Sequence, residues 1–425
     1  MRVRWYVWLV ALAPAGAAIA AGMTGVLDGR LRASVMLSAF AVTFAAVAIL
    51  MLLGRPWRAT SGCRRTGRIT GAGVALVLTA VTGVVAFDTV RTELFATPVR
   101  GVRAVGAVNG QLIAVGTDSQ QRLVAWVSAD GLMWQRAAHA PELDDIDVRD
   151  AATISDRLVI VGQTTDTGEG VVVTTADGRT WVRSPTFGDS LNPETQPNAI
   201  AGVGDNLAMV GDTYGNSAVF WHSTDGSEWT VTGPVPVFDR GDRVLDVTSW
   251  GNGFIAVGFA GDGTAASWLS PDGANWTAVS TAMVGDNLQV AARDDVAVAV
   301  ANTSDGATPW TSADGQRWAA VGEDPFGEHQ IDVITDTPSG FVAFGVTRDS
   351  DQPGMWTSRD GATWRASAVA PATFGDADIH DLAVIDDAIV AVGHDASTDQ
   401  AAFWVAKDGR TWRRIPPDET AFALD

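Results

Sequence analysis

The sequence predicts an all-β seven-bladed β-propeller with four-stranded blades, preceded by three transmembrane α-helices. Three observations carry this expectation. A short motif ending in Trp recurs seven times between residues 128 and 412 of the 425-residue chain. An apolar run precedes each copy. The first 88 residues hold three long uncharged stretches and a strong excess of Arg.

The expected domains are a membrane anchor over 1–88, a linker over 89–100 and the propeller over 101–425. The spans fall at about 5–27, 34–54 and 69–87. A 23-residue helix reaches about 34 Å, enough for a bilayer core. These stretches are apolar all round, unlike the one-sided helices of soluble cores. Trp5, Tyr6, Trp8 and Trp57 sit at span ends, as interfacial aromatics do. Nine Arg against two Asp leave 1–88 at +7, and Arg2, Arg4, Arg55, Arg58, Arg64, Arg65 and Arg68 flank the spans. Positive charge stays in the cytoplasm, which places the N-terminus inside and everything after Phe87 outside. Met1–Gly22 also resembles a signal peptide; its cleavage would leave a hairpin that still exports the C-terminal domain.

Residues 89–425 hold 20 basic and 47 acidic residues, a net of −27. That balance excludes a nucleic-acid partner, which needs Lys and Arg on phosphates. The single Cys63 excludes an intramolecular disulfide and a Cys-based zinc site.

The repeat reads Ser/Thr-x-Asp-Gly-x-x-Trp, with its Asp at 130, 177, 225, 272, 314, 360 and 408. Ala406 replaces the hydroxyl residue in the last copy. Asp-Gly suits a hairpin turn because Gly tolerates positive φ and Asp accepts it better than most. Each copy follows a run such as Leu112–Gly116 or Phe254–Gly258; in the fifth, Val296–Val300 runs into Ala301. Short Val/Ala/Ile runs bounded by Gly and Asn/Asp read as strands buried on both faces. A unit of about 46 residues therefore holds strands A, B, C and D. No such sheet hides both its faces alone; radial stacking covers them. Trp126, Trp221, Trp268, Trp310, Trp356 and Trp404 lie four residues before the motif Asp. Their fixed spacing favours blade-to-blade packing over a carbohydrate platform, and the turn's parity leaves open whether both Trp of a blade share a face.

The motif resembles the Asp-box, or bacterial neuraminidase repeat, of sialidase-type propellers, although Asp and Gly are adjacent here and separated in the usual box. The resemblance implies a propeller over 101–415. For a sialidase it would also imply an arginine triad, a Tyr nucleophile and an acid/base Asp. Tyr214 is the one exported tyrosine, and Arg103 and Arg149 occupy matching positions near the start of strand A. No third Arg falls in that register, and fold does not carry function.

Counting back twelve residues from the strand-B Gly gives Asp150, Asp246 and Asp381; Asp332 joins them if blade six has one extra turn residue. The loops after strand B add Asp118, Asp212 and Asp395. Together these form the candidate binding set, an acidic channel mouth for cations or a basic partner. The alternative is that Asp caps strand ends and keeps the surface soluble. His380-Asp381 and His394-Asp395 fall where they could meet at one rim. The five His have no metal-type spacing, and no Gly-rich phosphate loop opens a helix, so no cofactor is expected. The expected role is a non-catalytic binding or scaffolding module at the plasma membrane. Its partners are membrane lipid and an envelope protein or glycan, basic or cationic. The alternative is a divergent sialidase-like glycoside hydrolase.

Overall fold

The computed structural model describes residues 99–118, 122–184, 195–213, 217–232, 241–322, 324–349, 352–367, 373–407 and 411–415. The three expected spans and Tyr214 lie outside these residues. Among the described residues no helix is long and apolar enough to cross a membrane.

Seven antiparallel sheets follow one another, each of four consecutive strands in chain order. We letter them A to D from the inside. The A strands are Val99–Val108, Ile146–Ile154, Thr195–Val203, Arg243–Trp250, Asn287–Arg293, His329–Thr337 and Ala377–Ile385. Each lies beside the next A strand, and the seventh lies beside the first, so the ring closes. The architecture is the seven-bladed propeller expected from the repeat.

Strand B shows why the ring must close. In blade 1, Leu112, Ile113, Ala114 and Val115 are all fully buried. Alternate side chains leave opposite faces of a strand. Ile113 and Val115 pack with Leu158 and Ile160 of blade 2, while Leu112 and Ala114 pack with Val390 and Val392 of blade 7. Every seam has such a cluster, so the core lies between blades rather than within them.

The motif closes the C–D connection. In blade 1 the Ser128 hydroxyl accepts the Gly131 N–H at 2.9 Å, and the Asp130 carboxylate accepts those of Leu132 and Met133 at 2.9 and 3.2 Å. Gly131 takes φ 72°; Asp130 keeps a negative φ, and its carboxylate serves as the acceptor. Blades 2 to 6 repeat this turn. The two Trp of a blade share a face, toward the preceding blade. Trp126 and Trp134 both meet Phe403 of blade 7, and Trp268 and Trp276 both meet Phe220 of blade 3.

Strand-B Gly has a separate task. In six blades strand A bulges, and the Cα of Gly116, Gly162, Gly211, Gly258, Gly345 or Gly393 faces a strand-A carbonyl. A Cβ at Gly258 would stand 2.0 Å from the Arg243 carbonyl oxygen, and one at Gly345 only 1.8 Å from that of Gln330. Blade 5 has Ala301 at this place, and its A–B register runs without a bulge.

Candidate functional site

A bulge adds one residue to a strand and re-aims its side chain. The added residues are Arg103, Arg149, Asn198, Leu245, Asp332 and His380. All lie near the rim where A strands begin. Asp332 is therefore not equivalent to Asp150: blade 6 has no extra turn residue, and Val333 takes the position of Asp150.

The other six expected carboxylates have partners within the chain. Asp381 accepts the N–H of Leu382 on one oxygen, and on the other that of Val105 in blade 1, at 2.7 and 2.8 Å. Asp150 does the same for Ala151 and for Ile200 of blade 3, and Asp246 for Val247 and for Val290 of blade 5. Each carboxylate thus ties two neighbouring blades. Burial pushes Asp246 up to about 6 and Asp381 to about 7, against their hydrogen bonds. It also raises Asp150 well above the carboxylate range, where the charges of Asp381 and Asp246 raise it further.

Asp212 is likewise raised by burial; it accepts the Asn198 amide at 2.9 Å and the Val244 N–H at 3.3 Å. Asp118, fully buried, is paired with Arg122 at 2.9 Å. For Asp395 burial works upward, but Ser397 and Arg414 outweigh it and hold the pKa at about 2. The Asp332 carboxylate has no hydrogen-bond partner among the described residues. Solvent reaches it, yet the surrounding protein first and Asp378 second push it up to about 6.

The bulges of blades 7 and 1 open on one cleft of about 690 Å³ that blade 2 walls on its other side. Blade 1 contributes Arg103 and Thr117, blade 2 Asp147 and Gln163, and blade 7 Asp378, His380, His394 and Asp399. Arg103 meets Nε2 of His380 at 3.3 Å, and Nδ1 of His380 meets the Val102 carbonyl at 2.7 Å. A guanidinium only donates and a carbonyl only accepts, so the proton sits on Nδ1 and the ring is neutral. Burial, as the main cause, also lowers the pKa of His380. His394 stands between Asp399, 3.1 Å from Nε2, and Asp378, 3.9 Å from Nδ1. Arg149 touches two wall residues, Gln163 at 3.2 Å and Asp147 at 3.4 Å.

The two His noted in the sequence thus do share a rim. Asp147, Gln163, Asp378 and Asp399 were missed. One signal finds the re-aimed positions: each bulge residue lies thirteen places before a strand-B Gly. Among the described residues no group of three or more His, Cys, Asp or Glu has the arrangement of a metal site.

No curated protein matches the chain in sequence. Among solved structures, the BP39L lectin from Burkholderia pseudomallei aligns with a TM-score of 0.57 at 11% identity, over 76% of this chain and 99% of the lectin. The GH74 xyloglucanase from Xanthomonas campestris aligns with a TM-score of 0.50 at 16% identity, over 75% of this chain and 54% of the enzyme. At those identities the likeness concerns the fold. The DUF6242 beta propeller domain matches residues 128–384, more than half of the sequence. With seven closed blades behind that match, the chain belongs to the DUF6242 beta-propeller family.

Proposed function

We propose that the chain is a membrane-anchored binding module whose propeller faces away from the cytoplasm and takes an envelope protein or glycan in the cleft of blades 7, 1 and 2. The observation that carries this reading is the cleft itself. Its volume of about 690 Å³ lies in the range of small-ligand sites, three blades line it, and the bulges of blades 1 and 7 aim Arg103 and His380 into it. The acidic mouth contributes its field, drawing cationic partners, rather than direct ligands. The membrane placement rests on the three uncharged stretches and the Arg around them. The domain limits of 1–88, 89–100 and 101–425 go with it. The turn motif supports kinship with Asp-box propellers.

The test uses the full chain in detergent micelles. Labelled envelope fractions should bind saturably, and Gln163→Ala with Asp378→Asn should abolish that binding while the melting temperature holds. Undiminished binding by the double variant would remove the cleft from the proposal. Protease added to intact spheroplasts should digest the propeller; protection would reverse the orientation.

A second reading, a divergent sialidase-like glycoside hydrolase, is favoured by one observation: Arg103 lines the same cleft that Arg149 borders. It predicts turnover of a fluorogenic sialoside that Tyr214→Phe abolishes.

A further inference from the structure

The cleft carries charge of both signs: Arg103 on the blade 1 side, Asp378 and Asp399 on the blade 7 side, and on the blade 2 side Asp147, which is paired with Arg149 at 3.4 Å. On the blade 1 side, Arg103 has no ion-pair partner among the described residues. Its contact is with Nε2 of the neutral His380, which occupies one of five guanidinium N–H groups. The remaining donors suit a carboxylate, which a guanidinium grips in bidentate fashion. On the blade 7 side, Asp378 and Asp399 share one imidazole, His394, and both remain more than half exposed, at 52% and 70%. Asp332 of blade 6 adds a further carboxylate close enough to interact with Asp378.

Neither side neutralises the other. Arg103 meets the His380 ring and the two carboxylates meet the His394 ring, and both imidazoles flank Gly101. Unmatched charge of one sign selects a ligand group of the other. Two such sites in one cleft select a ligand carrying both.

We propose that this cleft takes a small zwitterion of the α-amino-acid or short-peptide class, its carboxylate on Arg103 and its ammonium against Asp378 and Asp399. This inference rests on the cleft being the binding site and adds the chemistry of its occupant. A neutral glycan would leave the guanidinium donors and both carboxylates without charged partners. A simple anion would meet Asp378 and Asp399 as repulsion, and a simple cation would meet Arg103.

The experiment compares three probes by calorimetry on the full chain in micelles: alanyl-alanine, its N-acetyl derivative and its C-terminal amide. Alanyl-alanine should bind, and blocking either end should weaken it by about tenfold or more, the loss of one charged contact. Asp378→Asn should weaken alanyl-alanine but strengthen the anionic N-acetyl derivative, by removing a repulsion. Arg103→Gln should weaken alanyl-alanine but strengthen the cationic amide for the same reason. These crossed comparisons read contacts rather than folding, and the melting temperature of each variant checks its integrity. Equal binding of all three probes, or none at millimolar concentration, would overturn the zwitterion. If the probes fail while envelope material is still captured and still lost in the cleft variants, the binding module stands and its occupant is of another class.

Discussion

At the scale of single residues, Asp150, Asp246 and Asp381 do something their amide isostere could not. Each takes two backbone N–H groups from two different blades, one on each oxygen. Asn has one acceptor oxygen and would turn an N–H against an N–H. The cost is a buried charge, which lifts Asp246 from 3.8 to about 6. A folded-state pKa above the unfolded one favours the protonated folded form. Stability from this group is therefore full below 3.8 and is lost as pH rises through about 6. The gap corresponds to about 3 kcal/mol. Asp381 and Asp150 act in the same direction. His380 acts oppositely: its pKa is lowered, so its contribution is present above 6.5 and lost as pH falls. Asp395, at about 2, changes only in stronger acid. Comparing Asp246→Asn with the parent cancels Asp381, His380 and Asp395; Asp150, which feels the Asp246 charge, is partly relieved in the variant and adds in the same direction as pH rises. The variant should be less stable at pH 4 by about 1–3 kcal/mol, the cost of an unpaired N–H. Its disadvantage should shrink or reverse by pH 7. Urea unfolding at both pH values checks this, and a constant difference would mean that Asp246 titrates normally.

At the scale of elements, the pairing of strands A and B turns on one missing methyl group. Blade 5 is a control supplied by the chain: Ala301 stands where six blades have Gly, and only there is the bulge absent. Gly258→Ala should flatten the bulge or strain it, at about 1–3 kcal/mol. Ala301→Gly should cost at most about 1 kcal/mol through backbone entropy. Equilibrium denaturation of both variants reads the difference; equal losses would mean that the carbonyl can move aside. This element also marks what the sequence could say. The turn motif made the blades countable because Ser, Asp, Gly and Trp each have a local task within seven residues. The strand-B Gly was visible as a boundary, but a boundary and a bulge look alike until the partner strand is known. For that reason Asp332 was assigned one place out of register. The axial ties were hidden for a similar reason. An Asp at a strand start reads as a cap or a ligand, and the N–H that Asp381 binds belongs to Val105, 276 residues away.

At the scale of the whole molecule, the described strands close the ring through side-chain contacts rather than through a shared sheet. Each described sheet consists of consecutive strands, so no strand from one end of the chain locks into the blade at the other. The seam between blades 7 and 1 is held by its apolar cluster, with Phe403 against two Trp, and by two polar ties. The Phe403 ring lies 5.9 Å from Trp126 and 4.6 Å from Trp134. Asp381 binds the Val105 N–H at 2.8 Å, and His380 meets the Val102 carbonyl at 2.7 Å. The candidate cleft straddles the same seam, so a ligand there would add to closure as well as be held by it. If this seam couples the ends, loosening it should convert a ring into an open array whose blades interact only with neighbours. Phe403→Ala removes a buried aromatic and should cost about 3–5 kcal/mol. Hydrogen exchange should then rise together in residues 102–108 of blade 1 and 382–392 of blade 7. Phe254→Ala, in the seam of blades 3 and 4, should leave those two segments protected relative to its own blade. Faster exchange confined to blade 7 after Phe403→Ala would show that blade 1 holds its place without the seam, and that the ring's ends are not coupled through it.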